Sequence, residues 1–327
     1  MFCRAWVWML CSVWILAGRD YRVYRAGNSR DVVTEVEAGF VFMGGGGDVQ
    51  EAFDWLIDRS GGGDFVILRA DRPDRRFNYY DWIYSELGGV DSAETIHIKN
   101  RAGANANEVR DLVMRAEAIF IAGGNQNTYL EDWAGTQLAA ALNDCVARGV
   151  PIGGTSAGMH LMCARVYDGR NNSSYGYEAL EDPYNFRMTF TPGFLNVPHV
   201  DGLTTETHFY ERDRMGRAMA FAARLVEDGW SDYGRVLAVD EGTAFVMDEN
   251  GYGYVLGDGY VYFLETTSPP SVCTPGQPLT IDDVWVYRIR DDFSQWFDLS
   301  NFSGSGGLAY WLDADGGTLV SSRGSVY

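Results

Sequence analysis

Between about residues 39 and 164 the chain alternates short apolar runs with segments whose apolar positions recur at helical spacing. Gly39-Phe40-Val41-Phe42-Met43 is one such run, ended by four glycines; Val49, Ala52, Phe53, Leu56 and Ile57 follow every three or four residues. Asp64-Phe65-Val66-Ile67-Leu68-Arg69-Ala70, Thr95-Ile96-His97-Ile98 and Ala118-Ile119-Phe120-Ile121-Ala122 read as further strands. Val109, Leu112 and Val113 mark one intervening helix, and Leu130, Trp133, Leu138, Leu142 and Val146 another. Uninterrupted apolar strands are buried on both faces, which is the habit of a parallel sheet covered by helices. The pattern therefore predicts an α/β fold, a doubly wound, mostly parallel sheet with helices on both faces. Beyond Arg235 short strands alternate with glycine turns such as Asn250-Gly251-Tyr252-Gly253, and Ser268-Pro269-Pro270 and Pro275 interrupt them. The expected organisation is a main domain over residues 38–265 and a β-rich extension over 266–327.

The first residues follow a different pattern. Arg4 precedes an uncharged apolar run that ends in the small residues Ala17 and Gly18. Such a run is short for a membrane span and has the shape of a secretory signal peptide over residues 1–18, so export is expected, with an uncleaved anchor as the alternative. Its removal would leave Cys145, Cys163 and Cys273, too few for a disulfide framework. The whole chain has 327 residues, 46% of them hydrophobic, which is ample core material. Its 26 basic residues face 45 acidic ones, a net charge of −19. That balance argues against non-specific binding to nucleic acid or to an anionic membrane. All the basic residues except Lys99 are arginines, which suits planar recognition of carboxylates.

Ile152-Gly153-Gly154-Thr155-Ser156-Ala157-Gly158 carries the chemistry. A short strand runs into glycines, then Ser156, then a helix, matching the G-x-S-x-G nucleophile elbow, whose sharp turn exposes the serine hydroxyl. A nucleophilic serine needs a base. His97 sits in an apolar strand and reads as packed, and His160 lies on the elbow helix, pointing away from the nucleophile. His208 lies in a densely charged stretch from Thr205 to Arg217, where carboxylates can fix its tautomer; it is the preferred base, with His199 the alternative. Arg212, Arg214 and Arg217 in that stretch read as a carboxylate clamp for substrate. Gly123-Gly124-Asn125-Gln126 ends a strand, where a loop faces the ligand crevice. Amides of Gly123, Gly124 and Ala157 are placed to form an oxyanion hole, and Gln126 to touch substrate. Glu241, at a strand end beside a glycine, is a candidate to orient the histidine. Glu206 shares a face with His208 and reads as a substrate contact. Histidines and cysteines show no metal-ligand spacing, and no cofactor is implied.

These residues resemble a known family. MGGGGD, GGGDFVILRA, IFIAGGNQ, PIGGTSAG, ETHFYERDRMGR and VDEGTAFV look like the motifs of the cyanophycinase and peptidase E family of serine peptidases, in the family's order from about residue 39 to 245. The chain departs from the usual pattern at Asn125, at Glu206-Thr207 and in the charged loop 71–77. The resemblance implies a class I glutamine-amidotransferase-like fold and a Ser-His-acid triad with Ser156 as nucleophile and His208 as base. It places the relay carboxylate between nucleophile and base in the chain, which points to Glu178 ahead of Glu241. It also puts Gln126, Arg212, Arg214 and Arg217 at the substrate. The implied substrate is an aspartate-rich peptide, such as the arginine-bearing poly-aspartate chains that cyanophycinases cut to β-Asp-Arg dipeptides. A second copy of the chain is an open option as partner; nucleic acid is not expected, nor a membrane beyond an uncleaved anchor. The alternatives are an aspartyl dipeptidase or isopeptidase on the same scaffold, or a catalytically idle homologue that binds peptides.

Overall fold

Five apolar runs lie side by side and parallel in the order Ser92–Ile98, Asp64–Arg69, Ala118–Ile121, Ile152–Thr155, Gly39–Met43. This is the centre of an 11-stranded sheet in a computed structural model that describes residues 14–17, 20–70 and 78–327. Successive residues of each strand enter opposite cores. Phe40, Phe42, Val66, Leu68, Ile119 and Ile121 pack with the helices Asn107–Met114, Gln126–Trp133 and Gln137–Ala147. Val41, Met43, Phe65, Ile67 and Phe120 pack with Ala52, Phe53 and Leu56 of the helix Gln50–Arg59 on the other face. Each such side chain, fully buried, contributes roughly 1.5–3 kcal/mol of transfer free energy. The double burial explains why these strands read as continuous apolar runs. The architecture is mixed α/β, with a large, centrally parallel sheet covered by helices.

Three features differ from the pattern reading. The apolar positions from Leu130 to Val146 belong to two helices, because Gly135 takes φ = 68° and Thr136 caps the second through Ala139 N–H. Tyr21–Gly27 pairs antiparallel with Ser92–Ile98 along its whole length, so the fold includes residues before 38. The β-rich extension over residues 266–327 pairs into both sheets. Tyr260–Thr266 pairs with Ile281–Arg290, which pairs with Leu308–Asp315, and Trp296–Asp298 returns to the large sheet beside Tyr252–Gly257. The signal-peptide reading and the charged loop 71–77 lie outside the described residues, except that Trp14–Ala17 pairs antiparallel with Tyr21–Gly27.

A second sheet of six strands carries the rest of the site. Its first two strands, Leu203–Glu206 and Arg235–Val239, are parallel, with Glu206 opposite Ala238. The helix Met215–Glu227 covers the sheet, packing Ala218, Met219, Phe221 and Ala222 with Val236, Ala238, Tyr262 and Leu264. Two parallel neighbours put their C-terminal loops side by side. That pairing brings residue 208 and residue 241 together.

Candidate active site

Ser156 follows the strand Ile152–Thr155 and begins the short helix Ala157–His160, at φ = 51° and ψ = −114°. A non-glycine residue rarely occupies this region, and holding it there costs on the order of 1–3 kcal/mol. The turn is tight because the helix passes very close to the sheet: a Cβ on Gly158 would lie 2.0 Å from Ile121 O. Met43 O accepts the Ser156 N–H at 3.0 Å and fixes the turn. His208 is also strained, at φ = 48°, and its N–H donates to Gly44 O at 2.8 Å. The end of the strand Gly39–Met43 and the glycine run after it thus brace both residues, and Gly45, at φ = 94°, passes so near that a Cβ there would lie 2.4 Å from His208 Cε1. The sequence reading assigned no role to this run; four glycines at the end of a central strand were the signal.

Ser156 Oγ–H donates to His208 Nε2 at 2.8 Å, and His208 Nδ1–H donates to Glu241 Oε1 at 2.5 Å. These partners define one tautomer, with the proton on Nδ1 and the Nε2 lone pair accepting from the serine hydroxyl. Burial holds the His208 pKa below its ordinary value, and the charges of Arg212 and Arg214 act the same way against the opposing pull of Glu241. A base must be neutral, so the acid limb of the kcat/KM profile is expected to have its midpoint below pH 6.5, the usual histidine value, with activity rising with pH. A pH–rate profile on a neutral ester or peptide checks this.

The carboxylate beside His208 is therefore Glu241, and the expectation of Glu178 is corrected. Glu178 Oε1 accepts from Arg187 Nη1 at 2.5 Å, and its Oε2 accepts the Tyr175 N–H at 3.0 Å. It closes a capping box at the start of the helix Gly176–Glu181. Its place in the chain between serine and histidine was misleading, because the relay position is set by which strand ends adjoin. His199 is not brought to the serine; its Nε2 pairs with Glu249 O at 2.9 Å.

The arginine row also divides. Arg217 is buried, and its Nε and Nη2 donate to the two oxygens of Glu206, each at 2.5 Å. Arg214 Nη1 donates to Glu206 Oε1 at 3.2 Å and to Thr207 O at 2.6 Å. Glu206 has no exposure left for a substrate, and its pKa is held well below the ordinary value by Arg217 and Arg214 despite burial. The substrate reading of Glu206 is thus replaced by a buried internal ion pair, and Arg217, which still borders the cleft of Ser156, has its guanidinium engaged by Glu206. Glu206→Gln would leave Arg217 buried without its counter-charge. The expected cost is about 3–5 kcal/mol, measured by urea unfolding at neutral pH. Arg212 differs: it is half exposed, with Nη2 3.5 Å from Glu241 Oε1.

Ser156 and His208 open onto a cleft of about 270 Å³ lined also by Gly124, Gln126, Arg212 and Arg214. Gln126 Nε2 donates to Tyr167 O at 3.1 Å, which orients its carbonyl end. Gly123 adjoins the nucleophile, since a Cβ there would lie 3.4 Å from Ser156 Cβ. Among the described residues no cluster of three or more His, Cys, Asp or Glu could hold a metal ion, and no helix is long and apolar enough to cross a membrane.

The chain matches the model of peptidase family S51 over residues 77–252. It is 26% identical to a cyanophycinase of Trichormus variabilis over 214 residues, 64% of this chain and 66% of the relative, so it spans just under two thirds of that protein's length. It is 27% identical to a cyanophycinase of Geminocystis herdmanii over 237 residues, 71% of this chain and 80% of the relative. A crystal structure of a peptidase from an acI-B1 Actinobacterium superposes with a TM-score of 0.53 at 16% identity, covering 73% of this chain and 98% of that one, which is a likeness of fold.

Proposed function

On the premise that the chain belongs to peptidase family S51, a family of serine peptidases, we propose that it hydrolyses peptide bonds through Ser156, His208 and Glu241. The observation that carries this reading is the continuous Ser156–His208–Glu241 line at the mouth of an arginine-lined cleft. Ser156 Oγ attacks the scissile carbonyl while His208 Nε2 takes its proton. His208 then returns that proton to the leaving amine, and the resulting acyl-enzyme is cleared by water that His208 activates in turn. Glu241 keeps the imidazole in its tautomer and stabilises the imidazolium. The backbone N–H groups of Ala157 and of the Gly123-Gly124 turn supply the oxyanion hole.

The substrate class that fits is an aspartate-rich peptide. Arg212 is half exposed at the cleft, and the buried Arg214 also lines it. Charge-assisted contacts from a guanidinium favour carboxylates. Cyanophycin is the substrate of first choice, by analogy with the curated relatives, on a class I glutamine-amidotransferase-like scaffold. Incubating the purified protein with cyanophycin should release soluble β-Asp-Arg. An Asp-X dipeptide panel run beside it identifies a dipeptidase if that panel alone is cut.

Export remains part of the proposal, resting on the apolar run before Gly18. Intact mass of the protein from its native host should correspond to a start shortly after Ala17. A soluble cytosolic form that keeps Met1 would overturn it.

A further inference from the structure

His160 is used by none of these steps, yet it is buried and lines the same cleft. It is four residues beyond Ser156 on the elbow helix, and its N–H donates to Ser156 O at 3.1 Å. Both ring nitrogens meet threonines of the segment that leads to His208, Thr205 on the strand Leu203–Glu206 and Thr207 just after it. Nδ1 is 3.2 Å from Thr205 Oγ1, and Nε2 is 3.3 Å from Thr207 Oγ1. Thr207 immediately precedes the base.

The outer partners set the direction of this chain. Arg214 Nη1 can only donate, and it reaches Thr207 Oγ1 at 3.3 Å. Thr207 Oγ1 takes that hydrogen on one lone pair and keeps its own proton free for His160 Nε2. In a neutral ring the hydrogen is then on His160 Nδ1, which donates to Thr205 Oγ1. Thr205 O–H donates to Cys163 Sγ at 3.6 Å, which leaves its oxygen to accept from His160 Nδ1–H, and the Cys163 S–H lies within reach of His160 O at 3.2 Å and Arg165 O at 3.3 Å. A protonated His160 would turn Nε2 into a second cationic donor facing Thr207 beside Arg214 Nη1. The surroundings agree with a neutral ring. Burial is the largest influence, and Arg217, Arg214 and His208 oppose a charge on it, while Glu206 alone favours one; the pKa falls to about 3.

We propose that His160 is a positioning residue: a neutral, Nδ1-protonated imidazole that ties the helix of the nucleophile to the strand of the base through Thr205 and Thr207. The inference rests on Ser156 and His208 acting as nucleophile and base. It explains how two residues in strained backbone conformations, on separate sheets, keep a 2.8 Å contact. The strut also reaches the cleft through Arg214, so the group that faces an acidic substrate and the group that sets the serine share one hydrogen-bonded line.

Two measurements on the full-length protein test it. The first is long-range ¹⁵N–¹H NMR on histidine-labelled protein, in which only four histidines need assignment. His160 should show a protonated Nδ1 and an unprotonated Nε2 from pH 8 down to about pH 5. A ring protonated at neutral pH, or protonated on Nε2, would overturn the assignment without reference to activity. The second is kinetic. Thr207→Val removes the hydroxyl and keeps the shape, and His160→Phe removes both ring contacts. Each should lower kcat by about 10- to 100-fold, the range expected of a misplacement near 1 Å, with KM little changed. His160→Gln, which restores a donor and an acceptor, should recover part of the loss. If folded Thr207→Val and His160→Phe keep wild-type kcat while Ser156→Ala is inactive, this inference fails and the serine-peptidase reading stands. If Ser156→Ala is itself active, that reading fails instead.

Discussion

Ser156→Ala is expected to abolish turnover, with a loss of up to about 10⁶-fold in kcat, while the protein stays folded. The magnitude is that of removing a nucleophile from a unit whose members act together. Only one oxygen is lost, and the Ser156 N–H bond to Met43 O does not involve it. Alanine inherits the backbone strain at φ = 51°, so unfolding by urea should change little. Ser156→Gly should be equally inactive but more stable than the alanine variant by about 1 kcal/mol, because glycine occupies that conformation freely. Steady-state kinetics and unfolding on the same preparations check both statements. An alanine variant with a tenth of wild-type activity would remove Ser156 from the chemistry.

The second large effect separates the two acids. Glu241→Gln is expected to lower kcat by about 10³- to 10⁴-fold. The replacement amide can present its N–H to His208 Nδ1, which favours the tautomer with hydrogen on Nε2, facing the serine. It also removes the charge that raises the His208 pKa, so the acid limb of the residual activity should move to still lower pH. Glu178→Gln should leave kcat almost unchanged. Its cost falls on the start of the helix Gly176–Glu181, where a cap and a partly exposed ion pair to Arg187 are weakened, together about 1 kcal/mol. Measured side by side, a large loss in Glu178→Gln with none in Glu241→Gln would reverse the assignment. Small losses in both would mean that Ser156 and His208 work as a dyad.

The contrast between these carboxylates shows where sequence reasoning stops. Both were visible as candidates, and position along the chain favoured the wrong one. The relay position is decided by the parallel pairing of Leu203–Glu206 with Arg235–Val239, which sets the loops after the two strands side by side. No local pattern around residue 178 or residue 241 encodes that pairing. The arginines follow the same rule. Their spacing at 212, 214 and 217 suggested one clamp, but Arg217 turns into the core against Glu206, whereas Arg212 stays half exposed beside Glu241.

What the sequence determined by itself is what neighbouring residues control. Continuous apolar runs require burial on both faces, so the parallel centre of the sheet was legible at Gly39–Met43, Asp64–Arg69 and Ala118–Ile121. The elbow was legible because a serine at positive φ needs small residues on either side, and Gly154 and Gly158 announce the close approach of helix and sheet. Tertiary structure alone decided the rest: that Tyr21–Gly27 covers the edge at Ser92–Ile98, that residues beyond 265 complete the second sheet, and that Glu241 meets His208. These depend on which strands pair and in what register. Strand pairing is settled by the summed burial of side chains far apart in the chain, a quantity no short window of sequence contains.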